Sequence, residues 1–142
     1  MMEQSPLETL MTLRQHELDS VEATFGKAVA REAEAEKALA QAQWKILSEQ
    51  ACASDAQADD EAVEAFSRWL PLGRKAVAEA QERCHQAALD RETVRGALLE
   101  ARAALETVQT LRDERREEAR QSGLRKEQAA LDDLALRRAD LP

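Results

Sequence analysis

Apolar residues in the first half of the chain fall into one repeating register. Met11, Leu18, Phe25, Glu32, Leu39, Ile46 and Ala53 recur every seven residues, and Leu7, Arg14, Val21, Ala28, Ala35, Ala42, Glu49 and Ala56 recur at the other position of the same repeat. Two series offset by three and four residues share one face of a helix, so this pattern predicts a helix that packs along a single partner helix. The helix opens at Ser5-Pro6-Leu7-Glu8. There the Ser5 hydroxyl is placed to accept from the amide three residues on, and Glu8 to reach back to the Ser5 amide. Pro6 occupies the first helical position, where its missing N–H costs nothing.

Trp69-Leu70-Pro71-Leu72-Gly73 reads as the stop. Pro71 disfavours helical geometry at Leu70 and removes a donor, while Gly73 tolerates a left-handed turn. A second candidate break lies at Ser54 to Asp60, rich in Ser and Asp; it would leave a short separate helix from Asp60 to Leu70. Beyond the turn the register resumes, with Val77, Cys84, Arg91, Leu98 and Leu105 at one position and Ala80, Ala87, Val94, Ala101 and Val108 at the other. Arg112 to Arg120 then alternates both charges, and after Gly123 the set Leu124, Leu131, Leu134 and Leu141 forms a final stretch with a shifted stripe.

The expected fold is therefore all-α: a long antiparallel two-helix coiled-coil hairpin forming one domain over residues 1–142. Its first arm covers about 5–70, its turn about 71–74 and its second arm about 75–140. Arms of roughly 65 residues at 1.5 Å per residue would approach about 95 Å each, a rod. The seam is thin, because alanine fills many positions, and Arg14, Glu32 and Arg91 interrupt it; modest stability in isolation follows. The two arms cover one stripe on each other and leave no second broad apolar face, so the isolated protein is expected to be a monomer.

Composition agrees with this picture. Only 3% of residues are aromatic, Tyr is absent, and four Gly and three Pro are spread over 142 residues. The abundant residues are strong helix formers, and their apolar members recur at helical spacing, which distinguishes the chain from a disordered polyampholyte. A net charge of −8 argues against general nucleic-acid binding. No apolar run approaches membrane-span length, and Met1 to Leu10 lacks the basic and apolar regions of a secretory signal, so a cytoplasmic protein with no direct membrane insertion is expected. Cys52 and Cys84 have no metal-ligand spacing and read as free thiols.

No residue pattern supports catalysis, a cofactor or a metal. Gly26-Lys27 lacks the upstream glycine of a phosphate-binding loop. Glu82-Arg83-Cys84-His85 spells Glu-x-x-His, but the second copy that a di-iron site needs is missing, since His16 follows Leu13 where the acid should be. Three features remain. Glu49, Asp55, Asp59, Asp60, Glu61 and Glu64 form an acidic stretch, most simply a solvated face. Trp44, Phe66 and Trp69 cluster near the proposed turn, where they either pack locally or meet a partner. Arg112-Asp113-Glu114-Arg115-Arg116-Glu117-Glu118-Ala119-Arg120 is either an intrahelical charge ladder or a set of arginines for an acidic collar.

Leu7-Glu8-Thr9-Leu10, Leu13-Arg14, the Pro-marked turn, Leu111-Arg112-Asp113-Glu114-Arg115-Arg116 and Glu127-Gln128-Ala129-Ala130-Leu131-Asp132-Asp133 together resemble the FliJ/YscO family of type III secretion. The family comprises the central-stalk proteins of flagellar and virulence export machines. Ala-rich arms and Trp69-Leu70-Pro71 are most similar to its Hrp branch from plant pathogens. The resemblance implies a stalk like the γ subunit of rotary ATPases, peripheral to the inner membrane. Its paired ends would enter a hexameric export ATPase, its other end would contact the export gate, and secretion chaperones would be further partners. Carried onto this chain, Leu10, Leu13, Arg14 and Leu18 with Arg112, Arg115, Arg116 and Arg120 would face the ATPase ring, and Trp44, Phe66, Trp69 and Leu70 would lie nearer the gate. The alternative is a structural or scaffold coiled coil that binds other helices without an ATPase.

Overall fold

The Glu8 amide donates to Ser5 Oγ at 3.2 Å and the Thr9 amide to the Ser5 carbonyl at 3.1 Å. Ser5 thus caps helix α1 (Pro6–Ala53, 48 residues), with Pro6 at its first position. These details come from a computed structural model that describes residues 5–141. A second helix, α2 (Asp60–Ala139, 80 residues), packs against α1, and the described residues contain no strand. The all-α antiparallel hairpin is the fold.

The chain reverses at Ser54–Asp59, the second of the two candidate breaks, and not at Pro71–Gly73. Two aspartates build this turn. Asp55 accepts the Gln57 amide at 3.3 Å through its side chain and the Ala58 amide at 3.0 Å through its carbonyl. Asp59 accepts the Ala62 amide at 2.9 Å through its carboxylate and so caps α2. Asp60 and Glu61 follow in the first turn, where acids suit the positive end of the helix dipole.

Helix α2 runs through Pro71 without a break. Pro71 is exposed, one position off the seam, and Ser67, whose carbonyl loses its intrahelical donor, is exposed too. Water can therefore satisfy that carbonyl, which makes a mid-helix proline tolerable. Gly73 is buried in the seam and serves close packing: a Cβ there would sit 2.7 Å from Trp69 Cη2. The short separate helix from Asp60 to Leu70 does not exist, because those residues begin α2.

The heptad register is the part of the sequence reading that the structure reproduces position by position. On α1 every assigned seam residue from Leu7 to Ala53 is buried or half-buried, except Glu49, which is exposed. Ala56, the last assigned position, lies in the turn, since the seam ends where α1 ends. On α2 the same holds from Val77 to Val108, and Leu70 and Gly73 extend the register backwards in phase.

The chain divides into two compact units. One comprises α1 through Leu18 with α2 from Ala101 onward; the other is Asp19–Glu100. In the first, Leu18, Leu105 and Val108 are buried; in the second, Ala28, Ala80 and Leu98 are. The second unit also resolves two polar seam residues, because Arg91 Nε donates to Glu32 Oε2 across the helices. These two charges in the apolar stripe thus answer each other.

Candidate partner-binding surfaces

All eight residues expected to face a ring belong to the first unit, but they do not form one surface. Leu18 is buried at 7% exposure and is seam core rather than contact surface. Leu10 is half-buried, and Arg14 is held by Glu17 at 2.9 Å. Leu13 projects outward at 51% exposure.

The arginines lie where α2 loses its companion helix. Arg112 is the last half-buried residue, and every described residue from Asp113 to Leu141 is exposed. Arg112 donates to Asp113 Oδ1 at 3.3 Å. Arg120 pairs with Glu117 at 2.7 Å, one turn back along the helix. The hydrogen bond from Arg120 holds the Glu117 carboxyl below its ordinary range, and the same bond raises Arg120. Arg115 and Arg116 enter no ion pair among the described residues, so their guanidinium groups remain available to an external carboxylate.

The four residues expected at the other surface share the second unit, and they divide into two kinds. Phe66, Trp69 and Leu70 are half-buried in the seam. Phe66 and Trp69 ring centroids stand 6.1 Å apart at 37°, and Lys45 Nζ of α1 lies 5.7 Å from the Trp69 centroid. A shallow groove beside them is lined by Glu49, Cys52 and Ala53 of α1 and by Ala62, Phe66 and Trp69 of α2. These aromatics are mainly internal glue.

Trp44 differs. It is 68% exposed, and Leu47, one helical turn on, is 59% exposed. In the register of α1 they occupy adjacent positions on the side away from α2. Leu47 was not singled out from sequence, and neither was Leu72 on α2, 65% exposed. Their signal was available: each is a large apolar residue off the seam in a chain that has few to spare.

Among the described residues no group of His, Cys, Asp or Glu is placed to hold a metal ion. No helix is long and apolar enough to cross a membrane. A family model described as flagellar FliJ protein matches residues 2–140. No curated protein and no solved structure matches the chain.

Proposed function

The chain belongs to the FliJ family of flagellar and type III export proteins, and from that premise we propose that it is the central stalk of such an export apparatus. In this reading it binds a hexameric export ATPase without hydrolysing ATP and links the ring to the export gate at the cytoplasmic side of the inner membrane. Secretion chaperones are further partners. The family match over residues 2–140 carries the proposal. Arg115 and Arg116, exposed and unpaired on a stretch of helix without a companion, support the ring contact. Leu13 is the one exposed apolar residue of the α1 set. Trp44 with Leu47 is the better candidate for the gate, because Phe66, Trp69 and Leu70 are occupied within the hairpin. The Ala-rich arms favour the Hrp branch; Trp69-Leu70-Pro71, which pointed the same way as a turn, is helix and adds nothing.

The test is ATP turnover by the cognate export ATPase with added wild-type protein, the Arg115→Glu/Arg116→Glu variant and the Trp44→Ala/Leu47→Ala variant. Wild-type protein should stimulate turnover. The arginine reversal should weaken binding roughly tenfold or more, because two charge-assisted contacts become repulsions. The effect should shrink as salt rises. Wild-type protein that neither binds nor stimulates the ATPase would refute the stalk and favour the scaffold reading. Loss of stimulation only in the Trp44/Leu47 variant would reverse the orientation of the stalk.

A further inference from the structure

The C-terminal part of α2 carries an apolar face that no other described residue covers. Leu124, Leu131, Leu134 and Leu141 are 49%, 61%, 56% and 72% exposed. Leu141 lies just past the helix, where its amide donates to the Arg138 carbonyl at 3.4 Å and keeps it on the last turn. This face is not a continuation of the seam with α1. Carrying the seam positions Leu105 and Arg112 forward in sevens leads to Lys126 and Asp133. Leu124 and Leu131 precede these by two residues, about 200° round the helix. Of the five leucines beyond Gly123, Leu136 alone keeps the seam phase. The expectation of a monomer assumed that no second apolar face existed, and this face removes its basis.

Two charges interrupt the stripe, Glu127 and Arg138. Neither has an oppositely charged side chain three or four residues away. The neighbours of Glu127 at three and four residues are Gly123, Leu124, Ala130 and Leu131; those of Arg138 are Leu134, Ala135 and Leu141, with Pro142 beyond. Neither enters an ion pair among the described residues. Each therefore awaits an opposite charge from outside the helix.

The spacing of these six residues is self-complementary. We propose that two copies of this chain pair through residues 124–141, antiparallel and related by a two-fold axis between Asp132 and Asp133. In that register Leu124 meets Leu141 of the second copy and Leu131 meets Leu134, each contact occurring twice. Glu127 meets Arg138, also twice, so the two orphan charges satisfy each other. Such a contact is isologous and closed. The flanking Ala130 and Ala135 let the two backbones approach. A polar pair at seam positions also fixes the register, because a slip of one heptad would set Glu127 against leucine. Arg115 and Arg116 lie outside the paired segment, so this inference is independent of the ATPase reading.

Sedimentation equilibrium of the full chain over a range of concentrations tests it. Wild-type protein should approach about twice 15.8 kDa. Leu131→Glu/Leu134→Glu should remain monomeric while circular dichroism shows the hairpin still helical. Glu127→Arg and Arg138→Glu should each raise the dimer Kd about tenfold, since each sets like charges together at two symmetric places. The double variant Glu127→Arg/Arg138→Glu should recover the wild-type Kd. A wild-type monomer at every concentration, a dimer indifferent to the leucine changes, or a double variant no tighter than the single ones would overturn the proposal.

Discussion

Replacing Gly73 by alanine sets two effects of opposite sign against each other. In a helix interior alanine is favoured over glycine by about 1 kcal/mol, because glycine has more backbone freedom to lose. Gly26 and Gly96 offer that gain freely: beyond the local helix backbone and the adjacent residues, nothing lies within 4 Å of a Cβ placed at either. At Gly73 the same Cβ would stand 2.7 Å from Trp69 Cη2 and 3.0 Å from its Cζ3. A tryptophan ring is rigid and both residues lie on α2, so the clash is relieved only by moving the ring, which disturbs its packing in the seam. Overpacking of this kind costs about 1 to 3 kcal/mol. Displacing the ring also weakens its contact with Lys45, a loss of roughly 0.5 to 1 kcal/mol. The expected net for Gly73→Ala is a destabilisation of about 1 to 2 kcal/mol. Gly26→Ala and Gly96→Ala should each stabilise by close to 1 kcal/mol, a rise in Tm of roughly 3 to 5 °C. Thermal unfolding followed by circular dichroism separates the three. Fluorescence of Trp69 in a Trp44→Phe background should redden only in Gly73→Ala, as the ring leaves the seam. If Gly73→Ala gains as much as the other two, Trp69 does not lie on Gly73.

Two further outcomes follow from the seam and the turn. Glu32→Ala removes the cross-helix partner of half-buried Arg91, leaving it only the neighbouring Glu92 at 3.6 Å, and should cost about 1 to 2 kcal/mol in urea unfolding. Glu32→Leu/Arg91→Leu should be at least as stable as wild type, and a double-mutant cycle with no coupling would refute the cross-helix pair. Mild oxidation should give no disulfide within one chain. Cys52 lies beside Ala62, and Cys84 is 22 residues further along α2, roughly 33 Å of helix. An efficient intramolecular crosslink on non-reducing gels would contradict the reversal at Ser54–Asp59.

What could be read from sequence was the face of each helix, because burial along a two-helix seam repeats every seven residues and leaves its mark in residue type. Even Glu32 and Arg91, which look like faults in the stripe, lie in the seam. Position along the pair was harder. Pro71 and Gly73 are strong breakers in isolation, yet the proline ring faces water and the glycine makes room for Trp69. The phase of the seam outweighs both. Leu70 and Gly73 sit in step with Val77 and Ala80, so nothing in the register resets there, whereas the series through Ile46 and Ala53 ends at Ser54–Asp59. Carried on in sevens it would fall on Asp60, Ser67 and Arg74, all exposed, even though the series through Glu49 and Ala56 reaches Leu70 in step. The misplaced turn made the arms look equal and hid the length of α2 that has no companion. For the candidate surfaces, residue type alone could not separate Trp69, which fills the hairpin, from Trp44, which does not. Their positions relative to the seam do.

The unbroken phase of α2 from Leu70 to Arg112 has a consequence for how such a chain can vary in length. One residue removed from a single arm turns every later side chain by about 100° and takes the apolar edge off its partner. Seven removed from one arm keep the phase but slide Glu32 away from Arg91. Only matched losses, one heptad from each arm at facing positions, preserve both the phase and the charge pairing. Each such step shortens both helices by about 10 Å. The length of the paired stretch is therefore quantised, and natural insertions or deletions within it, between the Ser54–Asp59 turn and Arg112, should come as paired heptads or not at all.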